Sequence, residues 1–215
     1  MPEFRSQTPC DAEEAEFHRL WGPWALVTPT AVASMLSEFT APWWVCGGWA
    51  IDAFTDSPRV HSDIDVAMFR TDLPALRKAL DGYLHIWSAG PDGIRPLDER
   101  FPEMPDSAEQ VWLRRDAMSP WLLDVLLTPD RDGAWVNKRD DSWVAPLDQV
   151  TWVDAAGIRY LNPELVLIFK VKHARPKDRT DLERAWPKLN DAQRTTLRTY
   201  VDRHHPTHGW LPLMT

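Results

Sequence analysis

Two aspartates, Asp63 and Asp65, stand one residue apart at the head of an apolar run, and a third, Asp124, interrupts the otherwise apolar WLLDVLL of Trp121 to Leu127. If Ile64 to Phe69 is a strand, alternation puts Asp63 and Asp65 on one face and turns Ile64 and Val66 into the core. Neighbouring carboxylates repel, so the arrangement is costly unless a cation sits between them. A hard divalent ion such as Mg²⁺ suits carboxylate oxygens and keeps positions open for water and phosphate. A pair of such ions can hold the attacking and leaving oxygens of an in-line phosphoryl transfer. A buried Asp124 needs a cation or strong donors. It reads as a metal ligand, as the general base for an attacking hydroxyl, or as a core carboxylate paired with Arg114 or Arg115.

Gly47-Gly48 lies upstream of the aspartates. Without a Cβ, glycine lets backbone N–H groups approach a phosphate closely. A helix starting just after adds free N–H groups and the positive end of its dipole. A phosphate chain fits between such a turn and metal-bearing aspartates. Either piece alone is common, Gly-Gly as a turn and Asp-x-Asp as a solvated strand end; the two in this order are much more specific.

Positioning these residues requires particular elements. The short apolar strand Trp43 to Cys46 runs into the glycines, and Trp49 to Thr55 reads as the helix they open. Asp72 to Asp81 is a helix capped by Gly82, and Tyr83 to Ser88 a strand. Gln110 to Arg115 and Trp121 to Thr128 pair around Met118-Ser119-Pro120. Ala134 to Val136 and Ser142 to Val144 form a hairpin, and strand pieces flank Gly157 within Val150 to Tyr160. Ahead of these, Asp11 to Trp21 reads as a helix with Ala15, Phe17, Leu20 and Trp21 inward. Thr28 to Thr40 reads as a helix with Thr28 as N-cap and Pro29 at its first position. Ala89 to Asp106, rich in proline, glycine and charge, reads as loop. From Leu161 the pattern turns helical, with Pro163 to Ala174, Asp178 to Leu189 and Asp191 to Arg203. The expected organisation is a mixed α/β (α+β) domain over 1–160, its twisted sheet flanked by helices, and a helical portion over 161–215.

Composition narrows the partners. The 215 residues are 44% hydrophobic and 26% charged, as in an ordinary globular protein. A net charge of -8 disfavours broad contact with nucleic acid: DNA is not expected and tRNA is disfavoured. Cys10 and Cys46 form no zinc or disulfide pattern, which suits a reducing cytoplasm. Residues 1–10 carry no apolar signal segment, and no run is long enough to cross a bilayer, so no membrane is expected. The 13 tryptophans either pack or offer stacking surfaces.

Gly47-Gly48-Trp49-Ala50-Ile51-Asp52, followed by Arg59-x-His61-x-Asp63-Ile64-Asp65, resembles the nucleotidyltransferases of the DNA polymerase beta superfamily, on the branch of the aminoglycoside 2''-nucleotidyltransferases, with lincosamide nucleotidyltransferases nearby. The resemblance runs from about residue 30 to 130 and returns in part near Arg175-Pro176-Lys177-Asp178. It implies a nucleotidyltransferase fold with a C-terminal helical portion closing the cleft. It also implies transfer of a nucleoside monophosphate from a Mg²⁺–NTP, ATP foremost, to a hydroxyl, with release of pyrophosphate. By the match, Asp63 and Asp65 bind metal, and Asp124 completes the metal site and acts as base. Gly47 and Gly48 contact the triphosphate. Arg59 and His61 contact phosphates or brace the loop. Among the basic residues Lys170, Lys172, Arg175 and Lys177, Lys170 and Lys177 are the ones expected at the phosphates.

The acceptor expected is a small hydroxylated molecule, with aminoglycoside-like antibiotics among the candidates. Asp92, Asp98, Glu99, Glu103 and Asp106 of the middle loop are then available to face a polycation. Two other readings compete: a nucleotidyltransferase toxin modifying tRNA or protein, and a nucleotide-binding relative without catalysis. The protein is expected to be a monomer or homodimer.

Overall fold

The computed structural model describes residues 5–9 and 12–215. Cys10, and Asp11 at the head of the first expected helix, lie outside the described residues. The strands are β1 (Trp43–Val45), β2 (Asp65–Phe69), β3 (His85–Gly90), β4 (Gly93–Pro96), β5 (Gln110–Arg114), β6 (Leu123–Thr128), β7 (Asp130–Arg131), β8 (Ala134–Asn137), β9 (Asp140–Ala145), β10 (Thr151–Val153) and β11 (Arg159–Leu161). The helices are α1 (Ala12–Trp21), α2 (Pro29–Met35), α3 (Gly47–Thr55), α4 (Leu73–Ala79), α5 (Leu147–Val150), α6 (Pro163–Val171), α7 (Pro176–Ala185) and α8 (Asp191–His204).

Eight strands form one mixed sheet in the order β10-β11-β1-β2-β6-β5-β3-β4, and β7, β8 and β9 form a second, antiparallel one. At the centre β2 and β6 run parallel, with Asp65 opposite Asp124. β5 is antiparallel to β6, with Trp112 opposite Asp124. Register partners share a face, so Asp65, Asp124 and Trp112 line up across the sheet. The opposite face of β2 and β6 carries the fully buried Val66, Met68, Val125 and Leu127.

Most elements fall where the pattern placed them, and the departures have local causes. In α1 only Phe17 among the four expected inward residues is half-buried; Ala15, Leu20 and Trp21 are exposed. The helix covers the edge of a tryptophan cluster rather than a core, and Phe17 touches Trp24 and Trp112 there. Helix α2 keeps its Thr28 cap but ends at Met35. Asp72 closes a 3₁₀ turn over Arg70–Asp72 and its side chain does not cap α4. The expected loop 89–106 contains β4, which pairs with β3 through a turn at Pro91-Asp92, with Gly93 at φ +102° opening β4. Proline and glycine there mark a hairpin turn, not the absence of strand.

The tryptophans mostly pack. Trp44, Trp121 and Trp135 are fully buried. Trp24, Trp112 and Trp121 cluster within 6.3 Å of one another. The Arg114 guanidinium lies 4.2 Å from the Trp87 ring and 4.1 Å from the Trp121 ring. Arg114 is engaged by these two cation–π contacts and by donating to the Ala117 carbonyl at 3.3 Å, and it forms no ion pair with Asp124.

Candidate active site

β1 delivers the chain to Cys46, whose backbone N–H donates to the Asp65 carbonyl at 3.0 Å. This ties the start of α3 to the first residue of β2. Cys46 is the N-cap of α3 and its side chain caps nothing, so the N–H groups of the first turn lack a side-chain acceptor. Gly47 has φ +61°, and a Cβ there would lie 1.9 Å from Asp65 Oδ2. A Cβ on Gly48 would lie 2.2 Å from Arg59 Nη2 and 2.6 Å from His61 Cε1. Both glycines are therefore required by the protein's own side chains: Gly47 makes room for a carboxylate, Gly48 for an arginine and an imidazole.

Asp63 precedes the strand, and the loop is held by Trp49. The Trp49 indole N–H donates to the Asp63 carbonyl at 3.0 Å, and its ring stacks on His61 at 4.6 Å. His61 is buried, with Nε2 2.6 Å from Asp52 Oδ2. Burial pulls its pKa below the ordinary value, against the pull of Asp52. A neutral imidazole donating to Asp52 is a brace for the loop. Asp52 also accepts from the Arg59 backbone N–H at 2.8 Å and from Arg184 at 2.8 Å.

The basic residues arrive on α6 and α7. Lys170 is buried, 3.1 Å from both Asp178 and Asp181. Asp181, fully buried, also takes the Arg59 guanidinium at 3.2 Å. Arg175 closes on Asp178 at 2.9 Å. A buried ion network thus fastens α7 to α3 and keeps Lys170 and Arg175 on the recess that Asp65 also borders, where their charge favours its ionised form. Of the basic residues singled out in the sequence, Lys170 and Lys177 border the site, as does Arg175. Lys172 is exposed and borders neither recess described next.

Two recesses meet at Asp65. The smaller, 130 Å³, is almost wholly polar, bordered by Gly48, Asp63, Asp65, Lys170, Arg175 and Lys177. The larger, 320 Å³, is bordered by Trp44 and Leu126 of the large sheet, Trp135 of β8, Phe169 of α6, and Lys138 and Arg139. Asp65, Lys170 and Arg175 border both.

The carboxylates carry an electrostatic burden. Burial, then Asp63, raise the Asp65 pKa to about 7, although Lys170, Lys177 and Arg175 oppose them. Burial, then Asp65 and Asp63, push Asp124 well above the usual carboxylate range. Asp124 Oδ1 is buried with no hydrogen-bond partner. An orphaned carboxylate oxygen beside two repelling carboxylates is chemistry that a divalent cation relieves, so the residues fit one in type and position. No ready-made cluster of three His, Cys, Asp or Glu exists among the described residues. Side-chain rotation would have to bring the carboxylates onto a shared ion.

Asp52, Asp178, Asp181, Arg184 and Trp49 carried no assignment from sequence. Asp52 closes the GGWAID motif, and its spacing from His61 hid the contact. The acids on α7 carry no motif that sets them apart from a solvated helix face.

The fold is that of the nucleotidyltransferases. The chain aligns with the crystal structure of ANT(2'')-Ia in complex with adenylyl-2''-tobramycin at 16% identity and TM-score 0.53, covering 80% of this chain and 94% of that one. The solution structure of the antibiotic-resistance factor ANT(2'')-Ia aligns at 17% identity and TM-score 0.52, covering 81% and 90%. The lincomycin-bound lincosamide antibiotic adenylyltransferase LnuA aligns at 15% identity and TM-score 0.49, covering 72% and 92%. No curated protein sequence matches the chain. Residues 30–87 match the family model described as aminoglycoside-2''-adenylyltransferase. That segment holds both glycines, Arg59, His61, Asp63 and Asp65, and stops short of Asp124 and the basic residues of α6 and α7.

Proposed function

We propose that this protein is a Mg²⁺-dependent nucleotidyltransferase that moves a nucleoside monophosphate from an NTP, ATP foremost, to a hydroxyl of a small, antibiotic-type molecule and releases pyrophosphate. The observation that carries this reading is the register of Asp65 against Asp124 beside the uncapped start of α3.

Asp63 and Asp65, with Asp124 completing the set, would hold the divalent ion, whose charge offsets that of the triphosphate and of the transition state. The polar recess takes the β- and γ-phosphates. There the first-turn N–H groups of α3 meet them from one side, with Lys170, Arg175 and Lys177 on the other. Asp124 takes the proton of the acceptor hydroxyl as general base. The hydroxyl oxygen forms a bond to the α-phosphorus as the bond to the pyrophosphate oxygen breaks, and the leaving pyrophosphate rests against the basic residues. Arg59 and His61 serve here by holding the loop that carries Asp63.

Calorimetry of Mg²⁺–ATP with the wild-type protein and Asp63→Ala tests the site. Binding that depends on Mg²⁺ and is lost in the variant is expected. Equal binding by the variant, or transfer of labelled AMP without it, would remove Asp63 from the proposed role.

A further inference from the structure

Buried polar atoms without partners stand in one row across the sheet. Asp124 of β6 is opposite Trp112 of β5, and Trp112 is opposite Trp87 of β3. Asp124 Oδ1, Trp112 Nε1 and Trp87 Nε1 each lack a hydrogen-bond partner among the described residues. Register partners share a face, so the Trp112 side chain lies beside Asp124 on the side away from Asp65. A buried indole N–H ordinarily finds an acceptor, and a buried carboxylate oxygen ordinarily finds a donor. Here an unused donor neighbours an unused acceptor.

The other groups around Asp124 are committed elsewhere. Its backbone N–H donates to the Ile64 carbonyl at 3.2 Å. The Lys138 ammonium donates to the Glu109 carbonyl at 3.4 Å and stands 3.8 Å from the Glu109 carboxylate. Burial, then Asp65 and Asp63, push the Asp124 pKa up; the Trp112 indole as donor, and then the Lys138 charge, oppose them. Packing accounts for the Trp112 ring but not for its nitrogen. The ring meets Trp24 and Trp121 at 5.3 Å and Phe17 at 5.7 Å, contacts that a phenyl ring would also make. Trp121 uses its own N–H, which donates to the Trp21 carbonyl at 2.7 Å. Trp87 stands one strand further from Asp124, with the Arg114 guanidinium 4.2 Å from its ring.

We infer that Trp112 is a positioning residue for Asp124: its indole N–H takes one carboxylate oxygen and leaves the other for the divalent ion. This rests on the nucleotidyltransferase reading, in which Asp124 completes the metal site. A donor on one oxygen favours the ionised carboxylate and restricts its rotation, so the ion meets a ligand already oriented.

The test combines proton–nitrogen NMR of the isotopically labelled full chain with calorimetry of Mg²⁺ in the presence of α,β-methylene-ATP. The Trp112 indole signal, assigned through its own backbone, is expected to move downfield when Mg²⁺ and the analogue are added. It should lie upfield of that position in Asp124→Asn, while the Trp121 indole, tied to a carbonyl, stays in place. Trp112→Phe keeps a ring in the cluster and loses the N–H. It is expected to weaken Mg²⁺ about tenfold in the wild-type background and not at all in Asp124→Asn. A loss of packing alone would weaken both backgrounds equally. If Trp112→Phe fails to fold, the indole signal of the wild type and of Asp124→Asn decides. An indole signal indifferent to both the ion and Asp124→Asn overturns the positioning role. So does a Trp112→Phe effect on Mg²⁺ that is absent, or equal in the two backgrounds. In each of those cases weaker Mg²⁺ binding by Asp124→Asn than by the wild type leaves the enzyme reading standing. Equal Mg²⁺ binding by the two removes Asp124 from the metal site, and the positioning role falls with that reading.

Discussion

Arg184 Nη2 lies 2.8 Å from Asp52 Oδ1, joining α7 to α3 across 132 residues of chain. Asp52 is buried and also serves His61 and the Arg59 backbone. Removing one member of a buried ionic set leaves the others uncompensated. Asp52→Ala is expected to cost on the order of 3 kcal/mol of stability, read from the urea midpoint at constant slope. A loss within about 0.5 kcal/mol would mean that the network carries little of the contact between the two helices.

Asp63→Asn and Asp65→Asn should separate stability from activity. Each is expected to lower turnover on the order of 10³-fold. Each should also raise the melting temperature of the metal-free protein, because it removes a charge repelled by its neighbours. Melting curves in EDTA and assays on the same preparations test both halves of this expectation.

The same repulsion fixes a pH dependence. The Asp65 carboxyl is raised in the folded protein to about 7, above its unfolded value, and burial pushes Asp124 well above the usual carboxylate range. The folded state therefore holds more protons than the unfolded state between the two sets of values. Stability of the metal-free protein is full below the unfolded carboxylate range and falls as pH rises through about 7. Mg²⁺ must displace those protons, so it should raise the melting temperature more near pH 8 than near pH 5. An Mg²⁺ effect independent of pH would place the ion away from these carboxylates.

Lys170 and Lys177 border the same recess but should behave differently. Lys170→Met leaves the buried Asp178 and Asp181 short of a cation, and a loss on the order of 3 kcal/mol is expected alongside weaker nucleotide binding. Lys177 is exposed; Lys177→Ala should raise the KM for NTP about tenfold with stability changed by less than about 0.5 kcal/mol. Paired denaturation and kinetic measurements distinguish the two.

Gly47→Ala should be the harsher of the two glycine substitutions. It forces a positive φ on alanine, at about 1 kcal/mol or more, and drives a Cβ into the Asp65 carboxylate. Gly48→Ala meets the tip of Arg59, which can swing, and the His61 ring, which cannot move without breaking its contact to Asp52. An activity ratio in which Gly48→Ala is the weaker enzyme would contradict this.

The strands that carry the carboxylates were legible because apolar alternation and turn residues bracket them so sharply. The placement of Asp65 opposite Asp124 was not, since register between β2 and β6 depends on pairing across more than fifty residues. β4 was hidden because its Pro and Gly content resembles a loop until β3 supplies its partner. The outward side of α1 was misread because Leu20 and Trp21 look like core residues when no neighbour is specified. The contacts of Asp52, Asp178 and Asp181 were invisible for a related reason: a buried ionic network has no periodicity, and each member looks like a surface charge until the helices are packed.

Asp65, Lys170 and Arg175 belong to both recesses of the cleft. Whatever fills one recess resets the charge and position of groups that the other must use. The two occupants are then thermodynamically linked, and each changes the other's affinity by the same factor. A dissociation constant measured for either ligand alone describes a half-empty cleft; the working affinity belongs to the pair.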